Sequence, residues 1–346
     1  MRTEQEANMY NVGMYGGCFN PLHIGHVDCI LKAAALCREL YIVLSVSEKR
    51  GEIDERIRYR WLYQLTKHIG NVTILTIHDD TTTKAEYTQE YWQKDADDVK
   101  ARIGKPIDVV FCGSDYGKDS FWNVCYPESE LYIFPRNGIS STELRANPYA
   151  HWDWIPQVAR PYYTKKVLLM GGESTGKSTL TISLAHRFNA EYIDEAGREL
   201  SEKSGTDELM LPEDYTEILL RHKLNEIEAQ ERGSKVLFVD TDALITRFFM
   251  DFLDGDDPRI EKNRVLADAI DGLNRYDLIL FLEPDVEFYL DGNRSTEIRD
   301  NREYYSNKIK ELLRTHGRDF TCIHGDYMER YEQAVAAVQK LLGEEQ

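Results

Sequence analysis

The sequence predicts an α/β protein of two domains in series, each built on a parallel sheet. Two observations carry that reading. First, a strand pattern runs into a glycine-rich turn and then a helical pattern twice, at residues 10–35 and again at 167–188. Second, short apolar runs alternate with stretches of helical periodicity in both halves. That alternation marks strand–helix–strand crossovers and a doubly wound sheet. The length of 346 residues also suits two domains.

In the first half, Tyr10–Tyr15 reads as a strand and Gly16-Gly17-Cys18-Phe19-Asn20-Pro21-Leu22-His23-Ile24-Gly25-His26 as the turn. Val27, Ile30, Leu31, Ala34 and Ala35 form the apolar face of the following helix. Gly16 and Gly17 let the backbone approach a ligand closely. His23 and His26, three apart near the helix start, can both face a phosphate held there. Such a pair is also half of a zinc site, although no H-E-x-x-H and no nearby Cys or Asp accompanies it. Plain capping of the turn is the other alternative. Strands at 40–44, 72–77 and 108–112 and helices at 57–65 and 87–102 continue the alternation. After the strand at 108–112, Gly113-Ser114-Asp115-Tyr116 makes Ser114 a candidate for adenine or ribose contacts, or an ordinary turn residue. Later, Ile139-Ser140-Ser141-Thr142-Glu143-Leu144-Arg145 places Ser140, Ser141 and Thr142 at a helix start. Arg145, one turn in, can fork onto phosphate oxygens, unless the segment is only a capping box.

Taken together, Gly17-x-Phe19-x-Pro21-x-His23-x-Gly25-His26 and Ile139–Arg145 resemble the paired signature of the nucleotidylyltransferase superfamily. The resemblance implies a Rossmann-like sheet and transfer from the α-phosphate of a nucleoside triphosphate to a phosphorylated substrate. It implies Gly16, Gly17, Phe19, Ser114, Ser140, Ser141 and Thr142 as ATP contacts, with His23, His26 and Arg145 stabilising the transfer.

Residues 151–163 hold Trp152, Trp154, Pro156 and Pro161 with little periodicity and read as a linker packed by aromatics. The predicted domains are therefore 1–150 and 164–346. The second opens on Val167–Met170, then Gly171-Gly172-Glu173-Ser174-Thr175-Gly176-Lys177-Ser178, then a helix carrying Thr179, Leu180 and Leu184. This is G-x-x-x-x-G-K-[ST] between strand and helix, the context a P-loop requires. Its backbone N–H groups and helix N-terminus cradle phosphates; Lys177 reaches the β/γ-phosphates of ATP and Ser178 holds Mg²⁺. Val236–Asp242 supplies an apolar strand ending in Asp240, the expected second Mg²⁺ group, with Asp242 toward the acceptor. Glu195, after the strand ending near Ile193, is a candidate to orient or deprotonate a substrate hydroxyl. Arg294, Arg299 and Arg302 lie in a polar segment that reads either as a lid over the transferring phosphoryl group or as a solvated loop.

Composition limits the alternatives. A net charge of −18 argues against a nucleic-acid-binding surface. Six cysteines without paired spacing, no export signal and no 18-residue apolar run predict a cytoplasmic protein that is not membrane-embedded. A nucleotidylyltransferase half joined to a P-loop half fits two bifunctional families. Glu195-Ala196-Gly197-Arg198-Glu199, Phe238–Asp242, Asp291-Gly292-Asn293-Arg294-Ser295 and Gly325-Asp326-Tyr327-x-x-Arg330-Tyr331 resemble segments of the NadR-type family. That resemblance spans nearly the whole chain from about residue 10. It implies a ribosylnicotinamide kinase and a nicotinamide-mononucleotide (NMN) adenylyltransferase using ATP and Mg²⁺, with nicotinamide riboside, NMN and NAD as its small-molecule partners. A homo-oligomer is also expected from related adenylyltransferases. Ala196 and Asn293 depart from the family pattern, and only nine residues precede the first strand, so no helix-turn-helix segment is expected. The alternatives are a coenzyme A synthase-like pair of activities and an NAD/ATP-sensing regulator with a weak catalytic half.

Overall fold

The structure, a computed structural model, describes residues 9–86, 88–113, 120–135, 138–195, 197, 210–255, 257–289 and 296–344. The chain divides into two compact units, Met1–Ala159 and Arg160–Gln346. The aromatic stretch read as a linker is shared between them. Short 3₁₀ turns at Trp152–Trp154 and Gln157–Ala159 lie in the first unit, and a helical turn at Arg160–Tyr163 begins the second.

The first unit runs β1 (Tyr10–Gly17), α1 (Ile24–Leu36), β2 (Cys37–Ser47), α2 (Glu55–Thr66), β3 (Val72–Asp79), α3 (Gln89–Ile103), β4 (Val109–Gly113), α4 (Phe121–Cys125), β5 (Glu130–Phe134) and α5 (Ser141–Ala146). The strands are parallel in the order β3-β2-β1-β4-β5. β1 lies at the centre, and Val12 and Met14 on one of its faces pack with Ile77, Val99 and Trp122. Burial on both faces is why these strands read as continuous apolar runs.

The second unit runs α6 (Arg160–Tyr163), β6 (Lys165–Gly171), α7 (Lys177–Phe188), β7 (Glu191–Ile193), α8 (Pro212–Glu231), β8 (Val236–Asp240), α9 (Ala243–Leu253), α10 (Glu261–Leu273), β9 (Leu278–Leu282), α11 (Thr296–Asp300), α12 (Arg302–Thr315), β10 (Thr321–Ile323) and α13 (Tyr327–Leu342). Its order is β10-β9-β6-β8-β7, again parallel. Leu168 and Met170 pack with Ile193, Leu237, Val239, Phe281 and Ile309.

Both units fix the entry of the central strand in the same way. Asp108, just before β4, accepts hydrogen bonds from the N–H groups of Asn11 and Val12 at 2.8 and 2.9 Å. Asp277, just before β9, accepts from the N–H of Lys166 at 2.9 Å and pairs with Lys165 Nζ at 2.7 Å. With the entry held and the flanks apolar, the exit of β1 and of β6 becomes the topological switch point, where ligands bind in open parallel sheets. Both glycine-rich turns leave the sheet there. Among the described residues, no helix is long and apolar enough to cross a membrane.

Candidate active sites

In the first unit, a cavity of about 600 Å³ opens beyond β1. Gly16, Gly17, Phe19, His23, His26, Ser140, Ser141, Thr142 and Arg145 all line it. Phe19 takes a left-handed backbone (φ 46°), which folds its buried ring beneath the turn, edge-on to His26 at 5.2 Å. His23 is the N-cap of α1. Its Nδ1 accepts from the N–H of His26 at 3.3 Å, and the Nδ1 of His26 accepts from the N–H of His23 at 3.4 Å. The two rings stack 3.6 Å apart at 18°. A ring nitrogen that accepts carries no proton, so each neutral imidazole keeps its proton on Nε2. Burial pushes His23 down to about 4 and His26 well below the ordinary histidine value, with the neighbouring His23 adding to the latter. At neutral pH the pair therefore presents uncharged Nε2–H donors.

The cations around this cavity hold its parts together. Arg145 donates to the carbonyl of Asn20 and, at 3.1 Å, to Thr142 Oγ1, joining α5 to the glycine turn. Arg58 is buried on α2; it donates to the carbonyls of Cys18 (2.6 Å), Ile53 (2.7 Å) and Ser45 (3.3 Å) and pairs with Glu52 at 3.0 Å. Arg50 pairs with Asp79 at 2.6 Å and lines the cavity.

An adjoining cavity of about 340 Å³ shares Gly16, Gly17, Cys18 and Arg50 with the first. Its walls are aromatic: Trp92 stacks on Phe121 at 5.7 Å and meets Trp122 edge-on at 4.7 Å, with Tyr126 and Asp95 beside them. A Cβ on Gly16 would lie 2.7 Å from the Trp122 ring, so only glycine lets this wall meet the turn.

The second unit has a cavity of about 370 Å³, lined by all of Gly171–Thr179 together with Glu195, Thr241 and Asp242. Gly171 (φ 148°) is obligatory, because a Cβ there would sit 2.7 Å from the carbonyl oxygen of Leu282. Lys177 Nζ donates to the carbonyl of Gly172 at 2.9 Å. The loop is clamped from below by Arg330, buried on α13, which donates to the carbonyls of Thr175 (2.6 Å), Glu283 (2.7 Å) and Gly325 (2.8 Å) and pairs with Asp285. Thr241 adopts a left-handed backbone (φ 62°), and the bend presents Asp242, the N-cap of α9, to the cavity. Burial raises Asp242 to about 7, opposed by its bond from the Leu244 N–H and reinforced by the Asp271 carboxylate. Tyr215, Phe248, Phe249 and Tyr305 add an aromatic part to the lining.

Mg²⁺ takes few protein ligands and keeps waters and substrate phosphates. Ser178, in the first turn of α7, and Asp240, fully buried at the end of β8 and paired in register with Leu169, fit such a site. Among the described residues no group of three or more His, Cys, Asp or Glu side chains forms a metal cage.

Of the three arginines in the polar segment, Arg299 and Arg302 are among the described residues. Arg299 is turned to Asp300 at 2.7 Å. Arg302 donates to the carbonyls of Val286 and, at 3.3 Å, Ser174, and burial lowers its pKa. Neither lines the cavity, so Arg302 supports the P-loop from outside. Ser114, Asp291–Ser295 with Arg294, and Ala196 lie outside the described residues. Sequence reasoning missed Arg50, Arg58, the Trp92–Trp122 wall and His222. The signal for Arg58 was a charged residue in register with Trp61 and Leu62 on the buried stripe of α2.

Fold and cavities together define a two-unit α/β protein, one unit of nucleotidylyltransferase type and one of P-loop type. Comparison with known families agrees: residues 14–147 match the cytidylyltransferase-like family and residues 166–330 an AAA domain. The trifunctional NAD biosynthesis/regulator proteins NadR of Salmonella typhimurium and Escherichia coli are each 28% identical to it, over 97% and 96% of this chain and 84% of theirs. A solved NadR protein in complex with NR superposes with a TM-score of 0.77 at 24% identity, covering 96% of both chains. The phosphopantetheine adenylyltransferase of Mycoplasma capricolum, 28% identical, matches 35% of this chain and 97% of its own length. The chain is a homologue of the NadR-type proteins.

Proposed function

We propose that this chain is a bifunctional enzyme of NAD synthesis, phosphorylating nicotinamide riboside to NMN and joining NMN to AMP from ATP. The observation that carries the reading is one chain, similar to NadR over 97% of its length, with a separate phosphate-cradling cavity in each unit. The likeness to phosphopantetheine adenylyltransferase covers only 35% of the chain, which disfavours a coenzyme A pathway. Six free thiols and ATP-dependent chemistry suit the cytoplasm.

In the first unit, a phosphate oxygen of NMN attacks the α-phosphorus of ATP and pyrophosphate leaves. The nucleophile is already anionic, so no general base is required. His23 and His26 donate Nε2–H bonds to the phosphate oxygens as negative charge shifts toward the leaving group, and Arg145 adds its fork. Arg50, common to both cavities, holds the incoming phosphate, while Trp92, Phe121 and Trp122 receive the pyridine ring in the adjoining pocket. Gly16 and Gly17, between the two cavities, let the two substrates approach.

In the second unit, the 5′-hydroxyl of the riboside attacks the γ-phosphorus of ATP. Gly171–Thr179 cradles the phosphates, Lys177 neutralises the developing charge, and Asp242 or Glu195 takes the hydroxyl proton. Ser178 and Asp240 are the residues that would hold Mg²⁺, which would supply neutralisation of the nucleotide's phosphate charge. Separate assays of each half-reaction test the assignment. His26→Ala should abolish adenylyl transfer and leave riboside phosphorylation unchanged, and Lys177→Ala should do the reverse. A variant that removed both activities together would contradict two independent sites.

A further inference from the structure

α3 buries Asp95 together with Ala96, Val99 and Ile103. Trp92 stands one helical turn earlier, and both side chains line the aromatic cavity beside the first site. Only 9% of Asp95 is exposed. A carboxylate among apolar and aromatic groups is costly unless a neighbouring group or ligand offsets its charge or donates to it. Asp95 lines the aromatic cavity and not the larger one beyond β1, whereas Arg50 lines both. Among its described lining residues, the aromatic cavity thus carries one guanidinium shared with its neighbour and one carboxylate of its own.

Resting on the adenylyl-transfer reading above, we propose that Asp95 selects the ring substituent of the mononucleotide. Its carboxylate accepts a hydrogen bond from the carboxamide NH₂ of NMN and repels the ring carboxylate of nicotinic acid mononucleotide. The charges of the cavity match the ligand. NMN is a zwitterion, with an anionic phosphate on one side of the ribose and a pyridinium on the other. Arg50, where the two cavities meet, suits the phosphate. Aromatic faces with a carboxylate beside them suit a flat cation that also bears N–H donors. Nicotinic acid mononucleotide has the same ring, sugar and phosphate, so Trp92, Phe121, Trp122 and Arg50 accept either ligand. The substituent alone separates the two. An ionised carboxylate only accepts, so it pairs with an amide and has nothing to give a second carboxylate.

The test measures pyrophosphate release from ATP with NMN and with nicotinic acid mononucleotide, for the wild type, Asp95→Asn and Asp95→Glu. The wild type should prefer NMN by about 100-fold or more in kcat/KM. Asn keeps the size of the side chain, removes its charge and adds an N–H donor. Asp95→Asn should therefore narrow the preference by about tenfold or more, with kcat/KM for nicotinic acid mononucleotide rising above the wild-type value. Asp95→Glu, which keeps the charge, should keep the preference for NMN. A ratio of the two substrates in one preparation does not depend on how much of the protein is folded, and a gain on the poorer substrate cannot come from damage. A wild type that uses both mononucleotides equally would overturn the proposal alone. So would an unchanged preference in Asp95→Asn, or a loss on NMN with no gain on nicotinic acid mononucleotide. Turnover of 4′-phosphopantetheine with neither pyridine mononucleotide would overturn the functional reading, and the proposal with it.

Discussion

At the scale of single residues, the first site rests on two histidines that cap each other's backbone. This fixes which nitrogen carries the proton and keeps both rings neutral. Asparagine is a good N-cap, so His23→Asn should leave α1 intact while removing the phosphate-facing donor. Adenylyl transfer should fall about 10²- to 10³-fold in kcat. The same substitution reports the buried titration. His23 is held at about 4 against an ordinary 6.5, so below pH 6.5 the unfolded chain binds a proton that the folded chain refuses. The stability tied to the neutral ring is complete above 6.5 and is lost as pH falls toward 4, to a limit on the order of 3 kcal/mol. Denaturant titrations from pH 7.5 to 4.5 should show the wild type losing stability relative to His23→Asn. A constant difference would mean that His23 titrates as it does in the unfolded chain.

At the scale of elements, strands and glycine turns were legible because their signals are local: an apolar run, a turn composition, a helical period. Each glycine-rich motif brought its own flanks, and the paired signature at 16–26 and 139–145 proved to line one cavity. What escaped reading were polar side chains on buried helix stripes, whose partners are distant in sequence. Arg58 holds the carbonyl of Cys18 from 40 residues away, and Arg330 holds that of Thr175 from 155. Both clamp the loop that leaves the central strand, one in each unit. Arg58→Met should remove the buried cation that pairs with Glu52 and donates to three carbonyls, and cost about 3–5 kcal/mol in equilibrium unfolding. The aromatic wall escaped for a different reason: Trp92 reads as one more residue in the helix near 87–102, and its partners Phe121 and Trp122 come from another element. Trp92→Ala should raise the KM for NMN about tenfold and leave the KM for ATP unchanged, as steady-state kinetics would show.

At the scale of the whole molecule, the chain repeats one construction with different chemistry. In each unit an aspartate ties the entry of the central strand, a glycine-rich loop leaves its far end, and a buried arginine supports that loop. The first unit lines its cavity with a neutral histidine pair and adjoins an aromatic pocket. The second adds a lysine, a hydroxyl and buried carboxylates, the parts needed for Mg²⁺-dependent phosphoryl transfer. In this arrangement the product of the second unit is the substrate of the first. The most direct test is a single time course with purified protein, Mg·ATP and nicotinamide riboside, with products separated by liquid chromatography. The account predicts ADP and NMN first, then NAD with one pyrophosphate per NAD. No product from nicotinamide riboside, together with conversion of 4′-phosphopantetheine to dephospho-coenzyme A and then coenzyme A, would contradict it.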